Sequence, residues 1–508
     1  MYQFTQYVLI SMAVVIVTLI DVNYIFVAGD LQYRCRVDEC EGVDSVIQPS
    51  WWPATTVDRC KRPVLQQGVP TGACTNSSFT EELAPCTEWV YESNATIVGE
   101  LDLACQSLKV SLVGTIHCAG MLVSMLTSGW LSDRFGRKPS LIFCSIAGSI
   151  GSLKTFVSSY YWYLVVEFIE GACTGGIYSA ALVLMLEIAG KKYRIASGVI
   201  FAFAVYFGEG LFVCIAMLVP YWKTLVRIVY TPVILFISYI FLVKESPRWQ
   251  AVVGKAEEAK KTMKLIAETN KLNIDYEELA AMDEVALKYQ FDINEEPETK
   301  ERFIDVFKSR IILIRLLVAF VARFTSSFVY SGLLVNSVWL PGNKYTNYLL
   351  STVMSFPGEL ISLYLMNKIG RKVPLMVGYI ICGVMCIIAS FVPDSYAWMQ
   401  ITAFLISKMI IAACFTGCIT YSMELFPTSA RGSLIGLTSF ASRIGGMLAP
   451  LTPILNTISP GLQFIFFGCS ALLSGALLTL TPETKGMPLL DTIRQVEESQ
   501  KTGKTVKT

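Results

Sequence analysis

Charged side chains inside long apolar runs offer most of the chemistry in this sequence. Arg443, Glu359 and Glu209 fall well inside such runs, while Asp21, Glu167 and Glu170 lie nearer the ends of theirs. At the centre of a bilayer a charge costs about 2.5–3.5 kcal/mol even on lenient scales, so intramembrane charges mark function. An arginine can grip a carboxylate through two parallel hydrogen bonds. An acid can hold an ammonium group. Tyr178, Tyr330, Phe356 and Phe440 also lie in apolar runs, where an aromatic face attracts a cation by about 0.5–2 kcal/mol. Groups of this kind bind an ion and let it go without breaking a covalent bond. His117 is the single histidine. Ser-His or Cys-His catalysis and a histidine-based metal site therefore have almost no material, and a lone histidine in an apolar helix reads first as structural. No GxxxxGK[ST] run offers a phosphate cradle. The expectation is no enzyme, no cofactor, no metal and no nucleotide.

Such side chains need membrane-crossing helices to position them. Of 508 residues, 53% are hydrophobic and 16% charged, against roughly 25% charged in soluble proteins. The net charge of +1 gives no reason to expect nucleic acid. Runs long enough to cross a core of roughly 30 Å fall at 7–29, 107–131, 139–157, 162–185, 196–219, 226–244, 311–334, 346–367, 374–392, 398–421, 432–455 and 462–480. This predicts an all-α membrane protein of twelve helices in two six-helix bundles. The first run is too long for a signal-peptide core and has no basic lead or cleavage site, so 1–29 reads as a retained helix. Short loops on one face carry Arg134, Arg137, Lys138, Arg194, Lys368, Arg371 and Arg431, while the opposite short loops are charge-poor. By the positive-inside rule the basic face and both termini are cytoplasmic.

Residues 30–106 then lie outside. They hold Cys35, Cys40, Cys60, Cys74, Cys86 and Cys105, and glycosylation sequons at Asn76 and Asn94. Six cysteines in an oxidising compartment predict three disulfides, with the pairing left open. Residues 107–244 complete the first bundle, 245–310 form a cytoplasmic linker, 311–480 the second bundle and 481–508 a cytoplasmic tail. An internal repeat links the halves. Gly136-Arg137-Lys138 returns as Gly370-Arg371-Lys372 (370 − 136 = 234), Glu187 with Arg194 as Glu424 with Arg431 (424 − 187 = 237), and Glu245 as Glu483 (483 − 245 = 238). Parallel repeats of this kind rock against each other about a central site.

The stretch Gly129-Trp-Leu131-Ser-Asp133-Arg134-Phe-Gly136-Arg137-Lys138 resembles the loop motif of the major facilitator superfamily. Glu245-Ser246-Pro247-Arg248-Trp249 and Pro482-Glu483-Thr484-Lys485-Gly486 resemble sugar-porter motifs, but the Gln-Leu-Ser signature of sugar porters is absent. The six-cysteine loop, Glu424-Leu-Phe-Pro427-Thr-Ser-Ala-Arg431, Ala441-Ser442-Arg443-Ile-Gly445-Gly446 and the Phe324–Tyr330 segment resemble the organic cation, organic anion and carnitine transporters of that superfamily. The resemblance covers nearly the whole chain. It implies the twelve-helix major facilitator fold and a monomeric plasma-membrane carrier of small organic ions working by alternating access.

In that family the position of Arg443 is Arg in anion and carnitine carriers and Asp in cation carriers. The resemblance therefore implies an organic anion or carnitine-like zwitterion, bound by Arg443, Glu359, Tyr178, Tyr330, Glu209, Phe356 and Phe440. The alternative is an organic cation held by Glu359 and Glu209, with a sugar porter or a non-transporting receptor further off. Arg443 and Glu359 could instead neutralise each other. Asp133, Arg134, Arg137, Glu187, Arg194, Arg371, Glu424 and Arg431 are the expected cytoplasmic gate, as charged pairs bridging the halves. Asn367 stands where the family has Asp, which implies a looser second half; Glu167 replaces a common Arg and Arg323 a common Trp.

Overall fold

Backbone polar groups in a bilayer must bond within their own segment, so apolar stretches of this length fold as helices. The computed structural model describes residues 2–41, 46–52, 59–66, 70, 72, 74–189, 194–271, 282–291, 308–427, 430–486 and 495–496. The first bundle comprises α1 (Tyr2–Asp21, with a further turn Tyr24–Val27), α2 (Ser107–Phe135), α3 (Arg137–Gly148, then 3-10 helix Ser149–Phe156), α4 (Tyr160–Ile188), α5 (Arg194–Leu218) and α6 (Trp222–Tyr230, running on to Leu242). The second comprises α7 (Arg310–Asn336), α8 (Lys344–Val353 and Ser355–Lys368), α9 (Lys372–Phe391), α10 (Ala397–Leu425), α11 (Arg431–Leu448, running on to Ile458) and α12 (Leu462–Leu477). Among the described residues, 11 helices are long and apolar enough to cross a membrane. α3 falls short of that measure because its run contains Ser140, Ser145, Ser149 and Lys154.

The loop between α1 and α2 contains two antiparallel strand pairs. β1 (Tyr33–Cys35) pairs with β4 (Trp89–Tyr91), and β2 (Lys61–Leu65) with β3 (Phe79–Pro85). Its six cysteines form Cys35–Cys86, Cys40–Cys74 and Cys60–Cys105, with Cα separations of 5.5, 5.5 and 5.8 Å. Arg34 is buried beneath this loop against Glu41 and the Trp51 and Trp52 rings. Asn76 and Asn94 are both exposed. In the linker, helices span Pro247–Val252, Ala256–Asn270 and Glu284–Gln290. Linker residues 272–281 and 292–307, and most of the tail, lie outside the described residues.

The internal repeat is reproduced bond for bond. In the first bundle Glu245 accepts from the backbone N–H of Arg137 at 3.1 Å and of Lys138 at 3.1 Å. In the second, Glu483 accepts from Arg371 N–H at 2.7 Å and Lys372 N–H at 3.0 Å. The Lys138 ammonium donates to the Ile240 carbonyl, and that of Lys372 to the Thr479 carbonyl. Each bundle thus latches its third helix to the chain leaving its sixth. The latch needs glycine: Gly136 has φ +111° and Gly370 φ +147°, and a Cβ at either would run into the latch carboxylate. Burial pushes the Glu245 carboxyl up despite its N–H donors. Burial acts on Glu483 too, but four backbone N–H donors outweigh it and hold that carboxyl below the usual range.

The bundles meet through α2 against α11 and α5 against α8. At the end carrying the disulfide loop they are closed on each other. There Phe26 stacks on Tyr345 with ring centres 5.4 Å apart and meets Tyr348 edge-on at 5.4 Å.

Candidate functional site

Where α5 faces α8 and α7, acids of one bundle meet hydroxyls of the other. Glu209 on α5, 3% exposed, accepts from the Tyr330 hydroxyl of α7 at 3.3 Å and the Thr352 hydroxyl of α8 at 3.5 Å. Glu359 on α8 is fully buried and accepts from the Tyr206 hydroxyl of α5 at 3.4 Å and from Thr416 at 2.7 Å. Its second oxygen, Oε1, has no hydrogen-bond partner among the described residues. Phe356, one turn before it, packs against Phe203 and Tyr206 at ring distances of 5.2 and 5.4 Å.

Lys408 of α10 completes this region, and sequence reasoning missed it. Its ammonium lies 3.2 Å from the centre of the Tyr330 ring, donates to the Tyr330 carbonyl at 3.1 Å, and is within electrostatic reach of Glu209. The signal was available, since Lys408 is a lone charge in mid-run like Arg443.

Arg443 of α11 is partly buried and lies within electrostatic reach of Cys118 on α2 and Arg323 on α7. Among the described residues it has no hydrogen-bond or ion-pair partner, so the expected alternative of an Arg443–Glu359 pair does not occur here. Arg323 of α7 is 8% exposed, lies over the Phe415 ring at 5.4 Å, and its Nη1 has no hydrogen-bond partner among the described residues. Tyr178 bonds to Thr18 at 3.0 Å and packs edge-on against Phe201. Phe440 makes no ring contact among the described residues.

The expected gate residues fall at the basic end. Arg137 grips Glu187 at 3.2 Å and Asp133 at 2.9 Å, and Arg371 grips Glu424 at 3.2 Å. In this arrangement the pairs join helices of one bundle and do not bridge the two. Asp133 is 79% exposed at its side chain, so its pair contributes well under about 1 kcal/mol. Arg134 lies over the Trp130 and Phe135 rings. Arg431 donates to the Phe426 carbonyl at 3.2 Å. The Arg194 side chain lies outside the described residues.

A second buried polar group sits wholly within the first bundle. Lys154, 0% exposed, donates to Glu167 at 3.1 Å, Glu170 at 2.9 Å and Asn23 at 3.3 Å. Tyr230 donates a short bond to Glu170. His117 sits between Asp21 and Glu167. Sequence reasoning gave Asp21, Glu167 and Glu170 little weight, read His117 as structural and missed Lys154.

Residues 70–494 match the family described as "Sugar (and other) transporter". The chain is 30% identical to solute carrier family 22 member 3 of Rattus norvegicus, an alignment covering 82% of this chain and 75% of that protein. The chain belongs to the organic ion transporters of the major facilitator superfamily. The transporter is also 28% identical to an organic cation transporter protein of Drosophila melanogaster, over 98% of this chain and 92% of that one. It is 31% identical to solute carrier family 22 member 6-A of Xenopus laevis, over 88% and 81%. Its fold matches the partially occluded inward open xylose transporter XylE from E. coli with a TM-score of 0.64 at 15% identity, covering 96% of the transporter and all of that chain.

Proposed function

We propose that this transporter carries small organic anions or carnitine-like zwitterions across the plasma membrane by alternating access. Lys408 carries the reading. A substrate ammonium would be drawn to the Tyr330 face beside Glu209, and the protein's own ammonium already lies there. Arg443 is left without an anionic partner among the described residues, ready for a substrate carboxylate. Glu359, with its open oxygen, would meet the positive end of a zwitterion. Tyr178, Phe356 and Phe440 would line the path beside them.

The basic loops favour a cytoplasmic latch end and cytoplasmic termini. The disulfides and the exposed Asn76 and Asn94 suit an extracellular loop. On that orientation, closure at Phe26, Tyr345 and Tyr348 is the outer seal of an inward-facing carrier. The bundle-internal pairs at Arg137 and Arg371 then belong to the open side and would re-pair across the halves when it shuts.

A second reading, an organic cation held by Glu359, is favoured by that unpartnered oxygen and by the name of the Drosophila relative. Proteoliposome uptake of glutarate, carnitine and tetraethylammonium separates the two. Wild-type protein should move the first two, and Arg443→Asp should shift preference toward the third. Unchanged uptake of all three in the variant would remove Arg443 from the site. Saturable binding with no flux in wild type would make the chain a receptor.

A further inference from the structure

We propose that the buried His117 cluster binds and releases one proton in each transport cycle, coupling the carrier to a proton gradient. This rests on the reading of the chain as a carrier, whatever its substrate.

The geometry of the ring carries the argument. His117 Nε2 lies 3.3 Å from Asp21 Oδ1, and Nδ1 lies 3.5 Å from Glu167 Oε1. A neutral imidazole has one N–H and one lone pair. In either tautomer, one lone pair then points at a carboxylate oxygen. Adding one proton, on the ring or on a carboxyl, makes both contacts donor–acceptor pairs. Among the described residues, Asp21 Oδ2, His117 Nδ1 and Glu167 Oε1 are buried without a hydrogen bond.

Charge counting agrees. Three carboxylates, Asp21, Glu167 and Glu170, are 8%, 0% and 0% exposed, and Lys154 is the one lysine among them. With His117 neutral the cluster keeps two uncompensated negative charges out of water, which is strongly unfavourable. Protons are the remaining way to neutralise it. The imidazole and carboxylate atoms of His117, Glu167 and Glu170 also lie within 4.8 Å of one another, a spacing that could take a divalent cation. The Lys154 ammonium already sits on Glu167 and Glu170, and repels a dication where it tolerates a proton.

Every element packed around His117 contributes to the balance. α1 brings Asp21, with Tyr24 in the turn after it, α3 brings Lys154, and α4 brings Tyr163, Glu167 and Glu170. α6 brings Tyr230, and α11 of the opposite bundle brings Arg443 within electrostatic reach of Cys118, the residue after His117. The link to transport lies in that last neighbour. α2, which carries His117, packs against α11, so rocking the halves moves Arg443 relative to the cluster. Thr18, one turn before Asp21, bonds to Tyr178 at the proposed substrate path.

The sequence offers a direct probe, because His117 is the only histidine. Transporter labelled with 15N-histidine and purified without a histidine tag gives one imidazole signal. That signal should change across a pH series, and Glu167→Gln should move its midpoint. In proteoliposomes, an imposed pH gradient should change glutarate or carnitine uptake several-fold. His117→Gln and Glu170→Gln should abolish that response while exchange counterflow continues, which shows that the variants are folded. A ring signal that does not titrate, or wild-type uptake indifferent to the gradient, overturns the proposal. A signal fixed by micromolar Zn²⁺ makes the cluster a metal site and overturns it too. If no probe is transported by wild type, the carrier reading fails, and coupling fails with it, even if the ring titrates.

Discussion

Removing the Lys408 side chain should convert the Tyr330 pocket from an occupied cation site into an open one. The ammonium sits 3.2 Å from the ring centre, and Glu209 bonds to the same tyrosine's hydroxyl at 3.3 Å. Lys408→Ala uncovers the ring face, worth about 0.5–2 kcal/mol to a new cation. At about 1.4 kcal/mol per tenfold, that is roughly 2- to 30-fold tighter binding. Glu209 also loses its neighbouring cation and can attract a substrate ammonium. Stranding a buried acid costs stability, on the order of 3–5 kcal/mol. The double variant Lys408→Ala/Glu209→Gln removes that penalty and leaves only the ring contribution. The assay is competition by tetraethylammonium and by glutarate against a common transported probe. Tetraethylammonium should gain affinity in the single variant, and less in the double, while glutarate gains nothing. If both inhibition constants stay at wild-type values in protein that melts normally, the Tyr330 face is not on the substrate path and the charge argument for the substrate collapses.

Two further outcomes test the latches. Gly136→Ala forces a side chain into a backbone region that is essentially glycine's alone and against Glu245; it should lower stability by about 1–3 kcal/mol, and an unchanged melting temperature would refute the strain. The latches should also respond differently to acid. Glu245 has a raised carboxyl pKa, so it takes a proton first as pH falls, relieving its burial and releasing the N–H groups of Arg137 and Lys138. Glu483 has a lowered one, so its stabilising charge, complete above the unfolded value, is lost only as pH falls through the lower folded value. Hydrogen-exchange protection factors should therefore fall at residues 137–138 before 371–372, and simultaneous loss would count against the assignment.

Much of this architecture was legible because it depends on periodic or local features. Apolar length gave the helices, ordered motif copies gave the parallel halves, and cysteines with sequons marked one loop. The disulfide pairing was not legible, since it depends on which strands of the loop meet. Nor were the buried clusters. Lys154 stands near the end of its apolar run, where a lysine ordinarily extends its ammonium to the interface. Only the packing of α3 on α4 turns it inward to Glu167 and Glu170. Glu359 and Arg443 were found as lone charges, but whether they pair depends on helix rotation, which a single sequence leaves undetermined.

Lys154 also bears on how the protein is made. A lysine within an apolar segment opposes entry into lipid by up to about 2.5–3.5 kcal/mol, and α3 is the segment whose composition falls short of a spanning helix. Its counter-charges, Glu167 and Glu170, arrive with the next helix. The two segments thus enter lipid more readily as a hairpin than one at a time. Removing both glutamates at once would accordingly be felt first during biosynthesis, as retained or degraded chains, whereas a single Glu→Gln exchange leaves Lys154 one counter-charge.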